Sequence, residues 1–323
     1  MLDQKELNEF SIGDEFTMFL IVTKSELKTA INGKSFLNLE LRDKSLAFPS
    51  KVWDNAEDYA KKLKEGTVVK VAGQIEDFKG ALQIKIGKIN PAKESDGVKP
   101  EDFLPRSIRQ LNEMLDELNK VISSINNSYL SQLVKTIFSI EKLEQYSKAP
   151  AGKGWHHAYI HGLLEHTLEI VRICELMCAM HPNLNRDLLI CGALLHDFGK
   201  IEELTYDTTF DYSDKGKLIG HIMIGALEVE KTAATIPSFP EELKNHLVHL
   251  ILSHQGKLEF ASPVEPRTLE AIVLYQADEL SAKTNAYKYA IAADRNKGGR
   301  WTRFLPLANT ALYIPDENLD TKK

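Results

Sequence analysis

The sequence predicts a two-domain protein in which a small β-barrel precedes an all-α helical bundle. Residues 1–90 contain short β-forming runs separated by turn signals, whereas residues 106–292 carry apolar residues at three- and four-residue spacing. Between them, residues 91–105 hold three prolines, a glycine and six charged residues, which is typical of a linker. The length of 323 residues suffices for two such domains.

The predicted barrel has the order of elements of an OB fold. Runs of β-branched, aromatic and alternating apolar residues predict strands at 16–22, 35–42, 46–53, 68–75 and 81–86, and a short helix at 56–63. Three strands, one helix and two further strands is the order found in OB barrels, which commonly bind oligonucleotides.

Beyond residue 105 the pattern becomes helical. Helices are predicted at 108–123, 129–146, 162–180, 187–197, 221–235, 241–253 and 267–292. We expect residues 106–147 to pack on the bundle or to build a subunit interface of a homo-oligomer. Residues 148–292 are expected to form the main helical domain and residues 293–323 a basic C-terminal segment.

Composition is typical of a soluble globular protein, and the sequence predicts a cytoplasmic location with no membrane segment. Apolar residues make up 43% and charged residues 27% of the chain. No apolar run approaches the roughly 20 residues that span a bilayer, and the first residues lack the apolar stretch of a secretion signal. Cys174, Cys178 and Cys191 lie in apolar helical patterns, so we expect reduced thiols in the core.

The net charge of −6 requires any contact with nucleic acid to be local. Residues 1–90 are neutral overall, but segment 283–303 carries a local excess of basic residues. These are Lys283, Lys288, Arg295, Lys297, Arg300 and Arg303, against Asp294. Arg300 and Arg303 are therefore candidate phosphate contacts, with an ordinary solvated tail as the alternative.

Six side chains in the helical half are of the types that bind divalent metal ions: His166, His196, Asp197, His221, His254 and Asp278. They lie within or at the ends of apolar helical stretches, where side chains from several helices can converge in a bundle core. A buried, ionised Asp278 needs a cation or strong hydrogen bonds. Imidazole and carboxylate suit Mn, Fe, Co, Ni or Zn, and without thiolates a structural zinc site is not expected. Taken singly, each residue has a structural alternative.

The order of these residues resembles the signature of the HD superfamily of metal-dependent phosphohydrolases. More narrowly, nearly the whole chain resembles the YhaM family of bacterial 3′→5′ exoribonucleases. The matching stretches are 156–159, 162–167, 194–200, 220–221, 253–256, 262–263 and 277–282. Two positions depart from the family pattern: His161, where a small residue is expected, and Gln255, where a second histidine often follows.

The resemblance implies an enzyme that releases nucleoside monophosphates from single-stranded RNA, with single-stranded DNA left open as a substrate. It implies two divalent ions bridged by Asp197. His166, His196 and Asp278 complete one site, and His221 and His254 serve the other. Mn²⁺ is the first choice, and Fe, Co, Ni, Zn and Mg stay open.

Two further residues are candidates for contacting the phosphate. Lys200, three residues after Asp197, is suited to neutralise charge on the phosphoryl oxygens, and an ordinary helix-terminal lysine is its alternative. His157 is the second candidate, and helix capping or packing is its alternative.

In the OB domain, aromatic and basic residues predict a surface for single strands. Phe36, Trp53 and Phe78 are candidate stacking platforms, with Lys24, Lys28 and Lys34 as candidate phosphate contacts. For Phe36 and Trp53 we favour the competing interpretation, packing in the barrel core, although the sequence does not assign their strand faces.

Two other functions are compatible with the sequence. The first keeps the metal site but gives it a small substrate, a nucleotide or a cyclic dinucleotide, with a regulatory OB domain. The second is a non-enzymatic DNA- or RNA-binding factor, and the complete set of six ligands weighs against it.

Overall fold

The chain divides into two compact units. The computed structural model describes residues 4–30, 33–78, 80–295 and 299–315. The first unit comprises Met1–Arg106 with Thr205–Asp211, and the second comprises Ser107–Leu204 with Tyr212–Lys323. Within the described ranges, no helix is both long enough and apolar enough to cross a membrane.

The first unit contains a closed five-stranded barrel, as predicted. Its strands are β1 (Glu15–Thr29), β2 (Ser35–Arg42), β3 (Ala47–Val52), β4 (Val68–Phe78) and β5 (Ala81–Pro91). They pair in the order β1-β2-β3-β5-β4, and β4 closes the barrel on β1. All pairings are antiparallel except that of β3 with β5. With helix α1 (Ala56–Lys62) between β3 and β4, this is an OB fold.

Alternation along the strands fills the barrel with apolar side chains. In β2, Leu37, Leu39 and Leu41 are at most 1% exposed, whereas the residues between them are half-buried. Leu63, which follows α1, is fully buried in the same core. The core of the barrel is therefore mainly aliphatic.

The segment predicted as a linker packs on the barrel. Phe103 is 1% exposed and forms a small second core with Ile21 and Val68. The backbone N–H of Ala92 donates to the carbonyl of Val68 at 2.8 Å. Prolines and charges indicated an exposed segment, but burial of one large aromatic side chain stabilises it against the barrel.

The second unit is a helical bundle. Its helices are α2 (Leu111–Ser123), α3 (Ser128–Ile137), α4 (Ile140–Lys148), α5 (Gly162–Met180), α6 (Arg186–Leu195), α7 (Lys200–Glu203), α8 (Asp214–Ile219), α9 (His221–Ala233), α10 (Glu241–Ser253) and α11 (Leu269–Arg295). The apolar helix α5 packs on α6 and α11, and α10 packs on both α6 and α9. Helices α2 and α4 pack on α5, and α3 packs on α9, so the segment before α5 is part of the bundle. Cys174 and Cys191 are buried free thiols, and Cys178 is a partly buried one.

Three local features differ from the sequence prediction. Strands β1, β4 and β5 extend to Thr29, Phe78 and Pro91, beyond the predicted ends at residues 22, 75 and 86, because the added residues pair with neighbouring strands. The single helix predicted at 129–146 is two helices, because the chain leaves helical geometry at Phe138, whose ring packs edge-on against Tyr146 and Phe198. The short helices α7 and α8 and the two-residue strands β6 (Leu204–Thr205) and β7 (Asp211–Tyr212) were not predicted. Such short elements carry too little periodicity to be read from sequence.

Candidate functional site

Four histidines from four different helices or helix ends come together in the bundle. His166 lies in the second turn of α5, and His221 is the first residue of α9. His196 and His254 directly follow the last residues of α6 and α10. All four are buried, with His221 the most exposed at 9%. Their convergence follows from the packing of α6 on α5 and α10, and of α9 on α10.

At the C-termini of α6 and α10, main-chain carbonyl groups orient the imidazole rings of the histidines that follow. His196 Nδ1 lies 2.8 Å from the carbonyl oxygen of Ala193, and His254 Nδ1 lies 2.7 Å from that of Ile251. A carbonyl oxygen only accepts, so each Nδ1 carries the proton and donates. The Nε2 lone pair of each ring is therefore free to bind a cation.

Side chains from neighbouring elements orient the other two rings. His221 Nδ1 donates to the Glu203 carboxylate at 2.8 Å, and the backbone N–H of His221 donates to the same oxygen at 2.9 Å. His166 Nδ1 lies 3.1 Å from the hydroxyl oxygen of Ser281 on α11, which in turn donates to Glu169 at 2.7 Å. As at His196 and His254, these contacts leave Nε2 as the ligand atom.

The carboxylate of Asp197 lies between two pairs of these histidines. Its Oδ2 is 3.2 Å from His196 Nε2 and 3.6 Å from His166 Nε2. Its Oδ1 is 3.3 Å from His221 Nε2 and 3.5 Å from His254 Nε2. When two ligand atoms each lie about 2.0–2.2 Å from the same metal ion, the distance between the two ligand atoms is similar to these Asp197–histidine distances. One oxygen facing each pair is the arrangement expected of a bridging carboxylate.

Asp278 and Lys200 complete the polar centre. Asp278 of α11 places Oδ1 3.1 Å from His166 Nε2, which adds a second carboxylate to one of the two pairs. Lys200, the first residue of α7, donates to Asp197 Oδ2 at 2.6 Å and is only 7% exposed. The buried ammonium thus balances part of the negative charge of the two carboxylates.

Gly199 allows the turn after Asp197 to approach α9. A Cβ atom at Gly199 would lie 2.1 Å from the carbonyl oxygen of His221 and 2.9 Å from the backbone nitrogen of Gly225. Both neighbours are main-chain atoms, so they cannot move aside without displacing the helix. The absence of a side chain at Gly199 is what brings His196 and Asp197 within reach of His221.

Burial and neighbouring charges set the protonation states. Burial lowers the pKa of His166 to about 4 and also lowers the pKa of His221, so both rings are neutral at pH 7. Burial opposes ionisation of Asp197, but the charges of Lys200 and His196 outweigh it and hold the pKa of this carboxyl well below its usual range. Burial likewise opposes charge on His196, yet the Asp197 carboxylate raises its pKa and so favours a proton on this ring when no cation is bound. A metal ion that binds here competes with that proton, because histidine ligates metal as a neutral ring.

The residues present fit a divalent metal ion. Several buried atoms have no hydrogen-bond partner within the described residues: Nε2 of His166, His196 and His221, and Oδ1 of Asp197. Each such atom left unpaired costs about 1–3 kcal/mol, and a cation accepts lone pairs from all of them. The ligand atoms of His166, His196 and Asp197 lie within 4.8 Å of one another, as do those of Asp197, His221 and His254. A donor set of nitrogen and oxygen without sulfur suits Mn, Fe, Co, Ni or Zn.

A cavity of about 240 Å³ adjoins this centre. Asp197, Lys200, His254 and Asp278 line it. Gln255, one of the two departures from the family pattern, also lines it. The other departure, His161, directs Nδ1 to the carbonyl oxygen of Ser147 and so ties the start of α5 to the end of α4.

The structure places His156, and not its predicted neighbour His157, along the cavity. His157 is fully buried, with Nε2 3.3 Å from Glu169, which argues against the phosphate contact predicted for it. The ring of His156 lies 4.7 Å from that of His166, and its Nδ1 is buried without a partner in the described part of the chain. The histidine pair was visible in the sequence, but a positive φ of 42° at His157 decides which ring reaches the cavity.

On the barrel, Phe36 and Trp53 form a partly exposed ring pair, so the core packing we favoured for them is wrong. Their centroids are 4.7 Å apart with planes 28° from parallel, and Trp53 is 42% exposed. The ammonium of Lys51 lies 5.7 Å from the Phe36 centroid and 5.3 Å from that of Phe78. Alternation in β2 directs Leu37 into the core and its neighbour Phe36 to the other face.

The predicted lysines of the barrel form exposed ion pairs. Lys34 lies 3.0 Å from Asp54, and Lys24 and Lys28 lie 3.2 and 2.8 Å from the two oxygens of Glu26. Surface ion pairs of this kind contribute about 0–1 kcal/mol to stability. Each lysine can therefore release its carboxylate partner and bind a phosphate instead. Lys51, whose ammonium lies near the aromatic rings, was not singled out by the sequence.

Arg300 and Arg303 lie in a folded C-terminal segment. The backbone N–H of Arg303 donates to the buried Asp294 at 2.8 Å, and the Arg300 guanidinium lies 5.1 Å from the centroid of the Tyr313 ring. Both arginines are exposed, and they lie outside the set of residues that line the cavity. Lys297, part of the same predicted basic stretch, lies outside the described residues.

Comparison with protein families matches both units of the chain. The model of the HD domain matches residues 163–283, and that of an OB-fold nucleic acid binding domain matches residues 21–92. Among solved structures, a domain of replication protein A from Methanococcus maripaludis covers 28% of this chain and 94% of its own, at 19% identity and a TM-score of 0.24.

Full-length relatives match both units together. The 3′-5′ exoribonuclease YhaM of Bacillus subtilis (strain 168) is 34% identical over 306 residues, which cover 94% of this chain and 96% of the relative. The protein of the same name from Geobacillus sp. (strain WCH70) is 34% identical over 314 residues, or 96% and 95% of the two chains. Since this identity extends over nearly all of both chains, the protein belongs to the YhaM family of 3′-5′ exoribonucleases.

Proposed function

We propose that this protein is a metal-dependent 3′→5′ exoribonuclease that releases nucleoside monophosphates from single-stranded RNA. Membership of the YhaM family and the pairing of an OB barrel with an HD domain support this function. The observation that carries it is the position of Asp197, with two histidine Nε2 atoms facing each of its oxygens. We further propose that the enzyme works in the cytoplasm and that single-stranded DNA is a secondary substrate.

The proposed centre holds two divalent ions, with Mn²⁺ as the first choice. His166, His196 and Asp278 would hold one ion with Asp197 Oδ2, and His221 and His254 would hold the other with Asp197 Oδ1. The distances from Asp197 to each histidine support this division. The contact of Asp278 with His166 supports its place in the first set.

The chemistry assigned to the protein's own residues is orientation and charge balance. When bound, a pair of divalent ions activates water and withdraws charge from the phosphodiester. Glu203 and Ser281 fix the tautomers of His221 and His166, so that their Nε2 atoms face the centre. Lys200 lines the cavity beside Asp197, where its ammonium can neutralise negative charge that develops on the phosphoryl oxygens.

A time course on RNA labelled at its 5′ end tests the proposal. With Mn²⁺, we expect a ladder that shortens stepwise from the 3′ end and release of nucleoside monophosphates. Chelation should stop the reaction, and added Mn²⁺ should restore it. Free nucleotides and cyclic dinucleotides serve as competing substrates in the same assay. Faster turnover of these small molecules than of RNA would replace the exoribonuclease proposal with a small-nucleotide phosphohydrolase.

The aromatic face of the barrel should contribute to RNA affinity. Replacing Trp53 or Phe36 with alanine removes a stacking platform, and each stacked base contributes about 1–3 kcal/mol. We therefore expect the dissociation constant for single-stranded RNA to rise by about tenfold, as measured by fluorescence anisotropy. Ile12→Ala removes another exposed apolar side chain of the same unit and should leave affinity unchanged. Wild-type affinity in both aromatic variants would contradict a role for this face.

A further inference from the structure

The cavity beside Asp197 is lined by aromatic rings as well as by polar groups. Trp155, Phe260 and Tyr275 line it together with Lys200. Trp155 is 39% exposed and Phe260 is 49% exposed. Large apolar side chains left exposed next to a buried ionic centre are typical of a ligand-binding site.

Trp155 is anchored close to the metal centre. Tyr287 of α11 contacts it with ring centroids 6.1 Å apart and ring planes at 78°. The next residue, His156, places its ring 4.7 Å from that of His166. The indole is therefore supported by α11 and positioned one residue from the histidine cluster, and the exposed part of its surface remains available to a ligand.

Tyr275 reaches the cavity because Gly256 has no side chain. A Cβ atom at Gly256, whose φ is +79°, would lie 2.2 Å from the Tyr275 ring. The ring thus lies directly against the main chain that follows His254. The aromatic lining comes from three separate parts of the fold: the segment before α5, the 3₁₀ helix Leu258–Phe260 and α11.

We propose that this cavity receives the 3′-terminal nucleotide of the RNA and that its base stacks on Trp155. The proposal rests on the exoribonuclease function. An enzyme that removes nucleotides one by one must bind the terminal nucleotide whatever its base. Stacking on an aromatic ring meets this need, since all bases present a π-face. The volume of about 240 Å³ lies just below the roughly 300–1,000 Å³ of small-molecule sites, which suits one nucleotide at a time. Lys200 and the Asp197 centre line the same cavity and would face the phosphate.

The contribution of the base can be measured with two small ligands. Adenosine 5′-monophosphate carries a base, and ribose 5-phosphate is the same molecule without it. In calorimetry with Mn²⁺ present, we expect the full-length protein to bind the nucleotide about 5- to 150-fold more tightly than the sugar phosphate. Trp155→Ala should reduce this preference to less than about twofold, and Trp155→Phe should retain most of it.

Another tryptophan of the chain provides a matched control. Trp301→Ala removes an exposed ring of the C-terminal segment that does not line the cavity. This variant should keep the wild-type preference. Because Trp155 is partly exposed, its alanine variant is expected to fold, and a thermal melt matching that of the wild type checks this.

The outcomes separate this inference from the proposed function. If the wild type degrades RNA and Trp155→Ala retains the preference for the nucleotide, the stacking site is refuted and the exoribonuclease stands. If the wild type does not degrade RNA but its base preference depends on Trp155, the nucleotide site stands and the exoribonuclease does not. A wild type without any base preference overturns the inference directly.

Discussion

Replacing Asp197 with asparagine should lower the hydrolysis of single-stranded RNA by about 10³-fold or more, because loss of metal-ion catalysis removes several kcal/mol of transition-state stabilisation. Asparagine keeps the shape of the side chain but turns one of its two anionic oxygens into an NH₂ group. Each oxygen faces a different histidine pair, so the variant cannot bridge two cations. The loss should appear in kcat, measured on end-labelled RNA at saturating Mn²⁺.

The Asp197→Asn variant should still bind RNA, because the aromatic rings of the barrel belong to the other unit. Asp214→Asn, which alters an exposed acid of the same helical unit, serves as the control and should keep full activity. Turnover within tenfold of the wild type in Asp197→Asn would refute the bridging assignment.

Removing His254 should empty one of the two proposed ion positions and leave the other filled. Metal analysis after equilibrium dialysis should give about two Mn²⁺ per wild-type chain and about one per His254→Ala chain. The reason is that His254 and His221 face one Asp197 oxygen, whereas His166 and His196 face the other. RNA hydrolysis should fall by at least about 10²-fold, since one ion cannot serve both the attacking and the leaving oxygen.

A second histidine on the same helix supplies the control for this experiment. His246 of α10 is exposed, and His246→Ala should bind two ions and degrade RNA at the wild-type rate. Equal metal content in the wild type and in His254→Ala would exclude His254 as a ligand. A wild-type content of one ion per chain would exclude the two-ion centre itself.

Local sequence patterns were sufficient to predict most of the fold. The alternation of leucines in β2 and the spacing of apolar residues in α5 and α10 report burial directly, because each pattern repeats within one element. The prediction failed where a distant contact overrides local preference. Phe138 ends α3 because its ring packs against Phe198, 60 residues further along the chain, and Phe103 is held by the barrel.

The candidate metal ligands were also predictable, because histidine and aspartate within apolar helices are expensive to bury without a partner. The orientation of these ligands was not predictable from the sequence. Glu203 lies 18 residues from His221, and Ser281 lies 115 residues from His166, so the members of each pair belong to different elements and local periodicity does not report their contact. The same limit applied to His156, which reaches the cavity in place of His157, and to Phe36 and Trp53, whose strand faces the sequence left undecided.

By itself, the sequence determined the order of elements, the types of residue available for metal binding and the family of the protein, since these depend on local periodicity and residue identity. The tertiary structure alone decided which histidines face which oxygen of Asp197, which rings line the cavity and which rings of the barrel remain exposed. The physical reason is that these relations depend on close packing between elements distant in the chain, where a single Cβ at Gly199 or a single positive φ at His157 changes which atoms can meet.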